Sequence, residues 1–309
     1  MNSPITYSFV IPHHNTPDLL QRLIDTIPQR EDIEVIVVDD NSDEGKKTHV
    51  SRSDVKTIFI DKEHTKGPGR ARNVGMDAAT GKWLLFADAD DLYKPGFIDV
   101  LDEYKDDDIE MLFFNIDSAD SETLEHTGKN RSGYQQRLIA QYDGSKESSD
   151  NLLYFGYGPW RRMISREYIV KYGFRYEEIC VTNDSFFSLQ VSHFARKWKV
   201  DKRILYTLTY TKGSLTYSKV TKQKYSAILN AFRRRAKLFS YIGHPEWNRK
   251  SFRGNYSQSC LVYLHRLYKQ QPFPVFLQAS FYYVTHIYSI EKNSNYYVNI
   301  IKELERKSM

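Results

Sequence analysis

The chain has 309 residues, 40% of them hydrophobic and 27% charged, enough to bury a full core and too apolar for a disordered or low-complexity chain. Aromatic residues make up 14% with no glycine or proline period, which excludes collagen-like and repetitive classes. The net charge of +5 conceals an asymmetry: residues 1–130 hold 14 Lys and Arg against 27 Asp and Glu, and residues 131–309 hold 30 against 12. A basic second part suits phosphates or anionic lipid, although two ordinary solvated faces would read the same way.

Cys180 and Cys260 stand far apart with no Cys or His at metal-ligand spacing, so neither a zinc site nor a disulfide framework is expected. Residues 1–11 lack a basic n-region and a long apolar run, which predicts a cytoplasmic chain without a secretory signal.

In chain order, residues 7–11, 34–39, 57–61, 83–87 and 111–116 are β-branched or aromatic runs and predict strands. Residues 17–27 place Leu19, Leu20, Leu23, Ile24 and Ile27 on one helical stripe, with Thr16 as the expected cap. Helices are also expected at 69–79 and 95–104. This alternation predicts a mostly parallel α/β sheet with helices on both faces and ligands at the carboxyl ends of the strands. The polar residues 117–149 read as a long loop or hairpin excursion. Residues 184–195 then predict a helix, 199–210 an extended run and Lys212-Gly213 a turn. After Lys219 the chain reads as helical, with 16 Lys and Arg against 4 Asp and Glu. Residues 272–290 carry no charge but contain two prolines and several polar residues, a poor bilayer span. The aromatic, basic helices of this tail either lie on an anionic membrane or pack against the remainder.

Two strand ends carry the chemistry. Leu84-Leu85-Phe86-Ala87 runs into Asp88, Asp90 and Asp91, and Val35-Ile36-Val37-Val38 runs into Asp39 and Asp40. Clustered carboxylates raise one another's pKa unless a cation holds them, and Mg²⁺ or Mn²⁺ takes carboxylate and phosphate oxygens. Each cluster taken singly also fits an Asp-rich turn or helix cap. Between them, Lys66-Gly67-Pro68-Gly69-Arg70-Ala71-Arg72 fits neither a dinucleotide fingerprint nor a P-loop. It is either a loop whose amides, Lys66, Arg70 or Arg72 meet a nucleotide, or a capped helix with a solvated basic face.

Together these residues resemble family 2 glycosyltransferases of the GT-A fold. Phe9-Val10-Ile11-Pro12-His13-His14-Asn15 is similar to the family's opening Val-Ile-Pro-x-Tyr-Asn strand, with His14 in place of Tyr. Val37-Val38-Asp39-Asp40-Asn41-Ser42 resembles its Val-Asp-Asp-Gly-Ser block, residues 69–81 its Ala-Arg-Asn-x-Gly helix, and Phe86-Ala87-Asp88-Ala89-Asp90-Asp91 the block containing the DXD motif. More loosely, Pro159-Trp160-Arg161-Arg162 looks like Trp-x-Lys, Asn183-Asp184-Ser185-Phe186-Phe187 like Glu-Asp-x-x-Phe with Asn for Glu, and Ser214-Leu215-Thr216 like Ser-Ile-Thr.

The resemblance implies a GT-A domain at 1–217, with a nucleotide-sugar half at 1–116 and an acceptor half at 117–217, followed by a helical subdomain at 218–309. It implies donor binding by Pro12, Asn15, Asp39, Asp40, Lys66, Arg72 and Asp88, a divalent cation (Mn²⁺ or Mg²⁺) on Asp90, acceptor contacts from Trp160 and Arg161, and Asp184 as base. The implied function is inverting transfer from a nucleotide-diphosphate sugar, by default UDP-linked, to a lipid-linked glycan in polysaccharide synthesis, with peripheral contact at the inner membrane face and no nucleic-acid partner. Alternatives of other classes are a catalytically silent nucleotide-sugar-binding scaffold and a sugar nucleotidyltransferase. The second usually carries a basic glycine loop after its first strand, where this chain has Pro12-His13-His14-Asn15.

Overall fold

The computed structural model describes residues 4–48, 50, 52–125, 132–179, 181–210, 222–247 and 295–308, with isolated positions between 269 and 281. The expected turn at Lys212-Gly213, the Ser214-Leu215-Thr216 block, both cysteines and all but five positions of 272–290 lie outside them.

The alternation of apolar strands and amphipathic helices produces β1 (Tyr7–His13), α1 (Pro17–Thr26), β2 (Ile33–Asp40), β3 (Val55–Ile60), α2 (Pro68–Ala78), β4 (Trp83–Phe86), β5 (Leu92–Tyr93), α3 (Phe97–Asp102) and β6 (Met111–Asp120). Then follow α4 (Gly133–Ala140), α5 (Lys146–Phe155), β7 (Arg162–Ser165), α6 (Arg166–Tyr172), α7 (Asn183–Phe194) and β8 (Trp198–Tyr210). One eight-stranded sheet has the order β3-β2-β1-β4-β7-β6-β8-β5. Its first half is parallel throughout; β7 runs antiparallel to β4 and β6, β8 parallel to β6, and β5 antiparallel to β8.

Successive side chains of a strand face opposite ways, and both faces of β1 and β2 are covered. Phe9, Ile11, Val35 and Val37 join Leu20, Leu23 and Ile24 of α1 in the main core cluster. Val10 and Val38 lie instead against Gly75 of α2, where a Cβ would come within 2.4 Å of Val10 Cγ1. Each fully buried leucine or isoleucine of α1 contributes about 1.5–3 kcal/mol, so the stripe read in the sequence is the face that fixes this helix.

Two local expectations are corrected. Thr16 makes no side-chain cap bond to α1; His13 takes over the helix entry, its Nε2 accepting the Thr16 N–H at 3.1 Å. Residues 117–149 are not one loop. β6 continues to Asp120, and α4 and the start of α5 follow it. Their buried apolar residues are few, Leu138 and Ile139 in α4 and Leu152 and Phe155 in α5, too thin a stripe to show as a period. α5 is held by its cap: Ser145 Oγ accepts the Ser148 N–H, and Asp143 accepts from the Ser148 hydroxyl at 2.7 Å.

The chain divides into two compact units, Met1–Ile179 with Asn183–Lys212, and Cys180–Thr182 with Gly213–Met309. The first holds the sheet. The second contains α8 (Lys222–Tyr241) and α9 (Tyr296–Ser308), joined by Tyr241 Oη donating to Glu305 at 2.7 Å and by the Arg234 guanidinium 4.6 Å from the Tyr296 ring centroid. Among the described residues, no helix is long and apolar enough to cross a membrane.

Candidate functional site

The parallel register aligns His13 with Asp39 and Val10 with Phe86, so β1, β2 and β4 deliver their carboxyl ends to one edge of the sheet. The two acidic ends are not neighbours: β1 runs between β2 and β4. His13 Nδ1 donates to Asp39 Oδ2 at 2.9 Å, while Asp39 Oδ1 accepts the Ser42 N–H at 2.8 Å. Asp39, expected to meet a nucleotide, is 1% exposed, and its bonds lock β1 to the turn after β2.

Further bonds hold the same two turns together. His14 Nδ1 donates to the Asp40 carbonyl, and the Asn15 amide donates to Ser42 Oγ, both at 2.9 Å. Asn15 and Asp43 exchange side-chain and backbone bonds at 3.1 and 2.8 Å. Asn15 and Asn41 sit at φ 60° and 59°, a left-handed conformation asparagine tolerates better than most residues. Pro12 pairs in register with Val38 at the start of this turn. Asp40 Oδ1 accepts from the Thr65 hydroxyl at 2.7 Å, which ties the end of β2 to the loop that precedes α2.

That loop owes its glycines to packing. A Cβ on Gly69 would fall 2.0 Å from the Glu177 carbonyl oxygen, and Gly67 enters α2 at φ +80°. Lys66 and Arg70 do not stand free: Glu178 takes Lys66 Nζ at 2.9 Å and Arg70 Nη1 at 3.3 Å. These partners, together with Asn73, outweigh burial and hold the Glu178 carboxyl below the usual range.

Arg72 reaches further in. It is 5% exposed; Nη1 donates to Asn183 Oδ1 at 2.9 Å and Nη2 to Asp88 Oδ1, with its guanidinium 5.4 Å from the Tyr176 ring centroid. Burial alone would lower its pKa, but Asp88, Tyr176 and Asp184 together raise it, so it is a fixed cation. Asp184 lies in the first turn of α7. Burial lifts its carboxyl above the ordinary value, helped by Asp88 and opposed by Arg72 and the helix-terminal amides. Desolvation outweighs the lowering from Arg72 and from the helix-terminal amides.

The acidic turn after β4 is fixed from two sides. The Asp88 N–H donates to Tyr206 Oη at 3.0 Å, and that hydroxyl donates to Asp91 Oδ2 at 2.9 Å. Asp91 Oδ1 accepts the Thr209 N–H at 2.7 Å. Arg22 of α1 donates to the Asp90 carbonyl at 2.9 Å, as does the Thr209 hydroxyl. Asp90 is half-buried and Asp91 is 1% exposed.

Among the described residues, no group of three or more His, Cys, Asp or Glu could enclose a metal by itself. The donor set nevertheless fits Mg²⁺ or Mn²⁺ shared with a substrate: Asp88 and Asp90 offer hard oxygens on one turn, and such ions take one or two carboxylates, with phosphate and water completing the shell. Asp91, committed to Tyr206 and Thr209, is not part of that set.

Trp160 is half-buried, its ring parallel to Tyr206 with centroids 6.1 Å apart. Arg161, expected to contact an acceptor, is wholly buried, donates to Gln135 Oε1 and lies 5.2 Å from the Phe113 ring centroid. Burial and neighbouring Arg162 push its pKa well down. Sequence reading missed His13, Arg22, Thr65, Tyr206 and Thr209. Only His13, beside the recognised Pro12 and Asn15, carried a local signal; the others come from a helix stripe, a loop and a distant strand.

The family model described as glycosyl transferase family 2 matches residues 8–173. A succinoglycan biosynthesis protein, ExoO, from Rhizobium meliloti is 35% identical over 91 residues, 28% of this chain and 26% of that one. A Campylobacter jejuni protein named GalNAc(5)-diNAcBac-PP-undecaprenol beta-1,3-glucosyltransferase is 29% identical over 130 residues, 40% of this chain and 42% of that one. The chain thus spans less than half the length of these relatives. Among solved structures, Staphylococcus aureus TarS 1–349 in complex with UDP-GlcNAc aligns with a TM-score of 0.57 at 16% identity, covering 75% of this chain and 66% of that one.

Proposed function

Because the chain belongs to glycosyl transferase family 2 and has the GT-A fold of its structural neighbours, we propose that it is an inverting glycosyltransferase of bacterial polysaccharide synthesis. It moves a sugar from a nucleotide-diphosphate donor, UDP-linked, to a hydroxyl of a lipid-linked glycan. One observation carries the reading: Arg72 donates both to Asp88 on the acidic turn and to Asn183, next to Asp184. A donor-side carboxylate and a candidate base therefore share one fixed cation.

In this reading Asp40 recognises the base of the nucleotide, with Pro12 and Asn15 shaping the turn around it and Asp39 locking that turn. Asp88 meets the ribose, and Lys66 and Arg72 supply positive charge near the diphosphate. Asp90, with Asp88, would hold a divalent cation, which supplies Lewis-acid stabilisation of the departing diphosphate when bound. Asp184, made more basic by burial, takes the acceptor hydroxyl proton as that oxygen attacks the anomeric carbon. The bond from that carbon to the diphosphate oxygen breaks as the new glycosidic bond forms, so a single displacement inverts the centre. Trp160 offers the acceptor an aromatic surface.

The lipid-linked acceptor is supported by the PP-undecaprenol in the name of the Campylobacter relative. Peripheral binding to anionic membrane at the cytoplasmic face is supported by the 16 Lys and Arg against 4 Asp and Glu in residues 219–309. Exposed Phe273, Leu277 and Phe281, each four residues from the next, suit the same surface. Liposomes containing anionic lipid should retain the protein at low salt; failure removes the membrane assignment alone.

The test of the catalytic reading is a thermal shift with UDP-, GDP- and dTDP-sugars, with and without Mn²⁺, on the native protein and Asp90→Ala. A Mn²⁺-dependent shift with the UDP-sugar, lost in the variant, is expected. No shift with any donor would overturn the reading and the nucleotide-sugar-binding scaffold with it, whereas a shift without sugar transfer to an acceptor would leave that scaffold.

A further inference from the structure

We propose that Tyr206 and Asp91 are positioning residues that set the acidic turn for the donor and its cation, and that the Tyr206 ring joins this turn to the acceptor-side aromatic Trp160. The inference deepens the function proposed above and rests on it.

Asp91 looks in sequence like a third ligand beside Asp88 and Asp90. Its 1% exposure and its bonds to Tyr206 Oη at 2.9 Å and the Thr209 N–H at 2.7 Å turn its carboxylate into the protein. The Tyr206 hydroxyl works in both directions, donating to Asp91 and accepting the Asp88 N–H at 3.0 Å. The turn closes on itself through the Asp91 N–H to the Asp88 carbonyl at 3.0 Å. Asp90 stands between these two fixed points, and Arg22 and Thr209 hold its carbonyl. The backbone of Asp88, Asp90 and Asp91 is thereby tied to β8 and α1. A carboxylate pair that must meet a cation and a diphosphate depends on such a frame, because a displacement of about 1 Å costs on the order of 100-fold in rate.

The ring of Tyr206 has a second task. It is fully buried, parallel to Trp160 within 1°, and edge-on to Tyr93 at 5.0 Å. Hydroxyl and ring therefore serve different substrates: the first fixes the donor turn, the second supports the acceptor-side aromatic. Tyr93 supplies the internal comparison, since its hydroxyl is buried in the same cluster without a hydrogen-bond partner among the described residues.

The test measures UDP-sugar binding by thermal shift across a Mn²⁺ titration, alongside steady-state donor and acceptor KM, for native protein, Tyr206→Phe, Asp91→Asn and Tyr93→Phe. Tyr206→Phe keeps the ring and loses the hydroxyl. It should raise the Mn²⁺ midpoint and the donor KM about tenfold, the loss of one hydrogen bond to a charged group, and leave the acceptor KM native. Asp91→Asn should move the same constants in the same direction, and Tyr93→Phe should move none.

A folded Tyr206→Phe protein with native Mn²⁺ and donor constants overturns the inference. So does Tyr93→Phe producing an equal loss, which would make the effect one of core packing. If Tyr206→Phe does not fold, Asp91→Asn decides alone by the same constants. Native protein that binds no UDP-sugar with Mn²⁺ overturns the proposed function and this inference together, whereas native binding with unaltered variants overturns only the inference.

Discussion

β2 ends in aspartates and β4 runs into them two residues on, and each cluster commits one carboxylate to architecture while a second is bonded to a neighbouring side chain. At β2 the inner residue comes first: Asp39 is enclosed by His13 and the Ser42 amide, and Asp40 follows with its link to Thr65. At β4 the inner residue comes last: Asp91 is enclosed by Tyr206 and the Thr209 amide, and Asp88 precedes it, bonded to Arg72. The two ends also differ in their anchors. Asp39 is locked by the neighbouring strand β1, 26 positions away in sequence, and Asp91 by β8, more than a hundred positions away. A buried carboxylate with two good donors costs little and rigidifies the turn that carries it.

The largest effect expected on activity lies where the two sides meet, at Asp184. Asp184→Asn should lower kcat by about 10²–10⁴-fold, the usual worth of a positioned general base, with donor binding retained. Because burial raises this carboxyl in the folded protein, its ionisation opposes folding. That penalty is absent at pH values below the unfolded carboxyl range and fully present above the raised folded value. Asp184→Asn should therefore be no less heat-stable than native protein at neutral pH. Native activity should fall on acidification as the base takes up its proton, earlier than for an exposed aspartate. A kcat within a few-fold of native in the variant would remove Asp184 from the chemistry.

Next comes the division of labour within a pair. Asp39→Ala leaves a buried imidazole N–H and a backbone amide without an acceptor and should cost about 3 kcal/mol of stability, seen as a lower Tm in the ligand-free protein. Asp40→Ala should keep Tm within a few degrees of native while weakening nucleotide binding about tenfold, as loss of one charged hydrogen bond does. Equal Tm losses for both variants would mean that the β2 end is simply a turn.

Much of this organisation was legible because it is local. The apolar runs of β1, β2 and β4 and the stripe of α1 emerge close to their expected bounds, since strand burial and helix period are written in consecutive residues. The aspartates at the strand ends were legible for the same reason. Their separate duties were not: Asp39 and Asp40, or Asp90 and Asp91, are chemically alike, and only partners brought by β1, α1 and β8 tell them apart. Residues 117–149 failed differently, because α4 and α5 each bury too few apolar side chains to display a period, and α5 is held largely by the polar cap at Asp143 and Ser145.

Arg161 separates sequence position from exposure most sharply, and the effect of replacing it should be the smallest. It adjoins the half-buried Trp160, yet it is wholly enclosed and its pKa is driven down by burial and by Arg162. Two of its nitrogens, Nε and Nη2, lack hydrogen-bond partners among the described residues. A buried guanidinium in that state opposes folding at neutral pH, and a neutral side chain of similar length forfeits only the Gln135 bond and the contact with Phe113. Arg161→Met should therefore change stability by no more than about 1 kcal/mol, in the stabilising direction, and leave the acceptor KM unaltered. Trp160→Ala should raise that KM in parallel assays. A Tm drop of more than about 5 °C for Arg161→Met would show that the guanidinium is held by an anion rather than tolerated. A raised acceptor KM would return Arg161 to the acceptor side of the site.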